Sequence, residues 1–230
     1  METDLDVLCG RLSLSEKEKE GIHISEGEVT VGKTKLARCL VGKLGTEKRI
    51  NREAFRSLLT RLWKPKGSVE FKEVQDHLWI FEFSDVLDKD KVLQGRPWQF
   101  DRYLLILHEF DGVTPPAQIV FSHSPFWIQL HGMPPICMNR EVGTKIGSSL
   151  GEVMEVDVAG DGVEWGRNLR IRVLIDVSQP WNVAVLLFGR KSTWVSFKYE
   201  KLPLFCFHCG RILHGPRGCP SHRKDKEQLQ

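Results

Sequence analysis

His77-Leu78-Trp79-Ile80-Phe81-Glu82-Phe83-Ser84 is the stretch whose reading decides the fold of this 230-residue chain. Trp79, Phe81 and Phe83 alternate with Leu78, Ile80 and Glu82, and a period of two predicts a β-strand. Ser68 to Lys72 predicts its partner across a short polar turn. Upstream, Asn51 is a helix cap, and Ile50 and Phe55 occupy the positions of a hydrophobic staple. Phe55, Leu58, Leu59 and Leu62 then form one apolar stripe, until Lys64-Pro65 stops the helix. Lys35 to Leu44 before it reads as a strand. Downstream, Asp85 to Gln94 reads as a second helix closed by Gly95 and Pro97, and Trp98 to Phe110 as one further strand. The order β-α-β-β-α-β is the ferredoxin-like arrangement that RNA-recognition modules share. It predicts an α+β body over residues 31–111.

Residues 112–203 predict a second, mostly antiparallel β segment. The proline-bearing connection Asp111 to Ala117 introduces it, and Phe126 to Leu130 is its first strand. Asn139 caps a helix carrying Val142, Ile146 and Leu150, ended by Gly151. Strand-like runs recur at Val153–Val158, Leu169–Val177, Val183–Phe188 and Thr193–Tyr199. An extension of the first sheet and a separate small domain both fit this pattern. Residues 1–30 are an N-terminal segment expected to be partly disordered, with six acids against three bases in its first twenty positions.

Residues 204–221 state their chemistry most openly. Cys206, Cys209, His214 and Cys219 are spaced C-x2-C-x4-H-x4-C. Three thiols and an imidazole suit a tetrahedral Zn2+ ion, and four protein ligands leave no position for a catalytic water, so the site reads as a structural knuckle. A segment this short cannot bury enough apolar surface to fold alone, so metal binding should supply its folding free energy, on the order of 10 kcal/mol. Phe207 and Ile212 are apolar non-ligands within it and predict a shallow platform for an unpaired base, where stacking is worth about 1–3 kcal/mol. The alternative is that both pack on the preceding domain. From Gly189 onward nine bases face three acids. Among them Arg211, Arg217 and the Arg223-Lys224 pair of the charged tail (222–230) are candidates for phosphate contact. Trp79, Phe81 and Phe83 are open to a similar base-stacking reading. Yet Gln75-Asp76-His77 and Glu82 replace a basic, glycine-rich signature, which favours a buried sheet face.

Other functions find less support. No apolar run reaches the length of a membrane span, and the acidic N-terminus lacks the apolar core of a signal peptide. The expected location is therefore nuclear or cytoplasmic, with no membrane partner. Six cysteines, three of them in the knuckle, are too few for a disulfide framework, and Cys9, Cys39 and Cys137 read as reduced packing residues. Gly27 to Thr34 satisfies the literal phosphate-loop pattern G-x4-G-K-T, but its Val29-Thr30-Val31 interior favours extended chain and no buried strand precedes it. No nucleotide cofactor is expected. Asp157 and Asp161, Cys137, and His108, His123 and His131 form no recognisable catalytic set, so the chain is expected not to be an enzyme.

Three segments carry a family resemblance: Gly95-Arg96-Pro97-Trp98-Gln99-Phe100-Asp101-Arg102-Tyr103-Leu104-Leu105, Phe126-Trp127-Ile128-Gln129-Leu130-His131-Gly132-Met133-Pro134, and Tyr199-Glu200-Lys201-Leu202-Pro203-Leu204-Phe205-Cys206. In order, over roughly Leu12 to Pro220, they resemble the plant family called domain of unknown function 4283. That family is similar to the nucleic-acid-binding, gag-like part of non-LTR retrotransposons. The resemblance implies a retroelement-derived protein that binds single-stranded RNA or DNA, with Cys206, Cys209, His214 and Cys219 as zinc ligands. One departure is Leu213, which stands where such knuckles usually place glycine before the ligand histidine. The competing expectation is a gag-like scaffold, self-associating as a homo-oligomer or docking a protein, whose zinc site is purely structural.

Overall fold

Three side-chain caps set the helices of the ordered body. Asn51 Oδ1 accepts from the amides of Glu53 and Ala54 at 3.0 and 3.1 Å, Asp85 Oδ1 from Leu87 at 3.0 Å, and Asn139 Oδ1 from Val142 at 3.0 Å. The computed structural model describes residues 24–160, 162–164, 166–180, 184–188, 191–206, 209–212 and 219. Its elements, in chain order, are α1 (Glu26–Leu36), β1 (Cys39–Leu44), α2 (Arg52–Trp63), β2 (Val69–Gln75), β3 (Leu78–Phe83), α3 (Val86–Gln94), β4 (Trp98–Phe100) and β5 (Tyr103–Glu109). There follow β6 (His123–His131), α4 (Arg140–Gly147), β7 (Gly151–Asp157), β8 (Leu169–Asp176), β9 (Ala184–Phe188) and β10 (Lys191–Tyr199). The chain divides into two units, residues 1–34 and 35–230.

Four expectations are corrected. Lys35 and Leu36 belong to α1, so the first strand begins at Cys39. The same helix takes in Gly27 to Thr34, which is therefore neither extended chain nor a phosphate-cradling loop. Trp98 to Phe110 is a hairpin instead of one strand. Its two turn residues, Asp101 and Arg102, both have positive φ (49° and 66°), the requirement of a tight two-residue hairpin. The buried stripe of α2 is Phe55, Leu59 and Trp63, whereas Leu62 is exposed. Spacing of four keeps one helix face, and Leu62 falls outside it.

The two antiparallel sheets of the second unit have the same design. Their strand orders are β2-β3-β1-β5-β4 and β7-β8-β6-β10-β9. β6, α4, β7 and β8 retrace β1, α2, β2 and β3, while β10 stands for β5 and β9 for β4. Among the described residues, no helix between β8 and β9 corresponds to α3. The segment after residue 112 is thus a separate sheet, the second copy of one topology.

Alternation along each strand sorts the side chains into two cores. On one face of the first sheet, Leu40, Leu44, Trp79, Phe81, Phe83, Leu105 and Leu107 pack with Phe55, Leu59 and Trp63 of α2 and Val92 of α3. Phe55 sits among the rings of Phe71, Trp79, Phe81 and Phe100. The base-stacking alternative for Trp79, Phe81 and Phe83 is therefore removed, since all three are buried beneath the helices. The opposite, helix-free face is not open either. Val41, Leu78, Leu104 and Ile106 belong to one continuous core with Phe126, Ile128, Leu130, Ile171 and Val173 of the second sheet and Ile146 of α4. Leu104→Ala tests this closure, because truncation on an open face would cost little. On a buried face it should lower the unfolding free energy by about 2–5 kcal/mol in urea denaturation.

Candidate metal centre and nucleic-acid interface

β10 leads into the cysteine segment through a turn at Lys201, which has φ of 51°. The Leu204 amide then donates to the Arg102 carbonyl at 2.7 Å, tying this stretch to the β4–β5 hairpin. Phe205 packs against the shared core. Two backbone bonds close the next turn, Cys206 N–H to the Arg211 carbonyl and Gly210 N–H to the Cys206 carbonyl, both 2.8 Å. Gly210 has φ of 72°, a conformation that a side chain would strain.

The Sγ atoms of Cys206, Cys209 and Cys219 lie within 4.8 Å of one another. The Cys206 and Cys219 sulfurs are 3.8 Å apart. Tetrahedral zinc with 2.3 Å bonds to sulfur needs neighbouring sulfurs about 3.8 Å apart, so the three thiols fit such an ion. Burial pushes the Cys209 thiol above its ordinary range; the Arg211 amide opposes this and the neighbouring cysteines add to it. Crowded thiols of this kind ionise readily when a cation shares their charge. The fourth predicted ligand, His214, lies outside the described residues, as do Phe207, Arg217, Arg223 and Lys224.

Ile212 is corrected. It is 3% exposed and belongs to the shared core, so it offers no face to a base. The apolar platform fails at this position because an aliphatic side chain beside a domain core gains more by burial there than in a solvated loop. Arg211 is half-buried beside the cysteines, and its Nε has no hydrogen-bond partner among the described residues. Cys39 and Cys137 are buried thiols.

A second cluster on the helix-free face of the second sheet was not anticipated. The Arg170 guanidinium lies over the Trp127 ring, 3.8 Å from its centroid. Glu200 takes two of its donors, Nε at 2.8 Å and a terminal nitrogen at 2.9 Å, and Asp157 takes another at 3.3 Å. Gln129 donates to Glu200 at 2.9 Å and pairs with His131 at 3.1 Å. The Arg170 hydrogen bond, ahead of the one from Gln129, holds the Glu200 carboxyl below its usual range. Arg172, next along β8, instead donates to the Gln94 carbonyl at the end of α3. The period-two pattern Leu169-Arg170-Ile171-Arg172-Val173 was the available signal, since it places both arginines on one face.

Residues 32–117 match the model of a domain of unknown function (DUF4283), and residues 176–221 match that of a zinc knuckle. The first match covers the first sheet, and the second runs from the end of β8 through the cysteine cluster. An uncharacterized protein of Arabidopsis thaliana, At4g02000, is 23% identical over 137 residues, or 58% of this chain. The match spans 43% of that protein's own length. A solved structure of the RNA binding domain of Hrp1 in complex with RNA aligns over 70% of this chain and 96% of its own. Its identity is 12% and its TM-score 0.28, too low to establish a shared fold. No helix among the described residues is long and apolar enough to cross a membrane.

Burial of Ile212 has a measurable consequence. Ile212→Ala should lower the stability of the zinc-loaded protein by about 2–5 kcal/mol. A loss of oligonucleotide affinity with unchanged denaturation would place this side chain at the surface instead.

Proposed function

We propose that this chain is a non-catalytic protein that binds single-stranded RNA or DNA through a zinc-ordered knuckle. The observation that carries the reading is the cluster of three cysteine sulfurs at zinc-compatible separations, inside a segment similar to zinc knuckles. Cys206, Cys209 and Cys219, with His214 as the fourth ligand, would hold the ion, which supplies folding energy and no reactive group. Three thiolates around Zn2+ leave a net charge of about −1, so the six-charge basic excess after residue 189 has a purpose beyond the metal. Arg211, Arg217, Arg223 and Lys224 are its phosphate-facing members, and Phe207 its stacking group. A retroelement-derived origin fits the resemblance of the three quoted segments.

Native mass spectrometry should find one zinc per chain. Cys206→Ser or chelation should remove both the ion and the binding of a short single-stranded oligonucleotide. If all four cations meet phosphates, log K should fall with log salt at a slope of about −2.8, from −0.7 per contact on single strands. A metal-free protein whose cysteines alkylate freely under native conditions would overturn the reading. Oligomerisation of a chain that binds no oligonucleotide would favour a protein scaffold with a structural zinc site.

A further inference from the structure

We propose that the helix-free face of the second sheet is a stacking platform for unpaired nucleobases, built on the Trp127–Arg170 pile and Trp194. The proposal rests on the nucleic-acid reading above and extends the bound strand from the knuckle onto the sheet. Its starting point is the contrast between two sheets of one topology. In the first, the face opposite the helices is buried by Val41, Leu78, Leu104 and Ile106. In the second, the face towards α4 takes Phe126, Ile128, Leu130, Ile171 and Val173, while Trp127, Gln129, His131, Arg170 and Arg172 alternate with them. Register places Arg170 opposite Gln129, Gln129 opposite Lys198, and His131 opposite Ser196. One strand therefore crosses β8, β6 and β10 over a continuous row.

The chemistry of the pile selects a flat ligand over a bare phosphate. Arg170 uses its in-plane donors on Glu200 and Asp157, so it has little left for a phosphate oxygen. Trp127 covers one side of its plane, and its side chain retains 34% exposure. The guanidinium is thereby held in one plane, and bases stack on such planes as they do on aromatic rings. Trp194 has the parity of Ser196 and Lys198 along β10 and is 72% exposed. A large aromatic so exposed on the sheet that carries the stacked arginine marks a contact surface. Four residues of strand separate Trp194 from Lys198, about 13 Å at the usual rise. His131 and Ser196 lie between the two stacking surfaces with hydrogen-bonding groups, and exposed Lys198 supplies a cation for the backbone. From Lys198 to Cys206 the chain runs eight residues, at most about 28 Å, so platform and knuckle are within reach of one strand.

Two variants of the full-length, zinc-loaded protein test this against labelled 12-nucleotide uridine RNA, read by fluorescence anisotropy. Trp194→Ala removes an exposed ring, and Arg170→Lys keeps the charge facing Glu200 while losing the plane. Each should weaken binding by about five- to 150-fold, the equivalent of one stacked base. Zinc content should stay at the parental value in both variants, and melting temperature should stay parental in Trp194→Ala, which removes only an exposed ring. The salt slope should also be unchanged, since stacking releases no counterions. Parental affinity in both variants, with binding lost in Cys206→Ser, would overturn the platform and leave the knuckle as the whole interface. Trp194→Ala that alters the oligomeric state by light scattering but not the affinity would overturn it too, assigning the face to a second copy of the chain. Binding that survives Cys206→Ser and is lost in Trp194→Ala would uphold the platform and refute the knuckle reading.

Discussion

Closure of the first sheet's helix-free face is the constraint on which the remaining structure depends. Val41, Leu78, Leu104 and Ile106 sit there at 4% exposure or less, in one core with the second sheet. Four such side chains are worth roughly 6–12 kcal/mol as an upper bound, which is comparable with the net stability of a whole domain. Among the described residues the second sheet has one helix where the first has two, so its own layer is thinner. Contact with the first sheet supplies apolar surface that a second helix would otherwise provide. Neither half is therefore read correctly as an independent module, although each has a complete strand order of its own.

Much of this was legible in the sequence, and the failures have specific causes. The caps at Asn51, Asp85 and Asn139 act at the positions their side chains announce, because capping is local and needs only the following two or three amides. The hairpin at Asp101-Arg102 was missed because neither residue is the glycine or asparagine that usually marks two successive positive φ values. Closure of the sheet did leave a trace. Leu104-Leu105-Ile106-Leu107 and Leu78-Trp79-Ile80-Phe81 are unbroken apolar runs, as expected of strands buried on both faces. β8, in contrast, alternates buried Leu169 and Ile171 with half-buried Arg170 and Arg172 in its first half. Comparing the two kinds of strand would have told which sheet keeps an open surface.

The candidate sites divide along the same line. Metal ligands are close in sequence, and fixed spacing makes them readable. The Trp127–Arg170–Glu200 pile joins residues 43 and 30 positions apart, and only strand register brings them together. Ile212 was misplaced for a related reason: nothing in fourteen residues of knuckle sequence says that a domain core lies beside it.

Burial of Ile212 and Phe205 against the body changes what the knuckle can do. A knuckle on a free linker would have to be ordered relative to the sheet each time a strand bridged them, and that ordering opposes binding. Here the Leu204–Arg102 hydrogen bond and two apolar contacts fix its approach before any ligand arrives. The shared core orients this segment, and the polar face of the second sheet lies one short segment of chain away. On the proposed reading, stacking surfaces held in a fixed relation by a common core would favour a strand of limited length and flexibility over a duplex, whose bases are already stacked on each other.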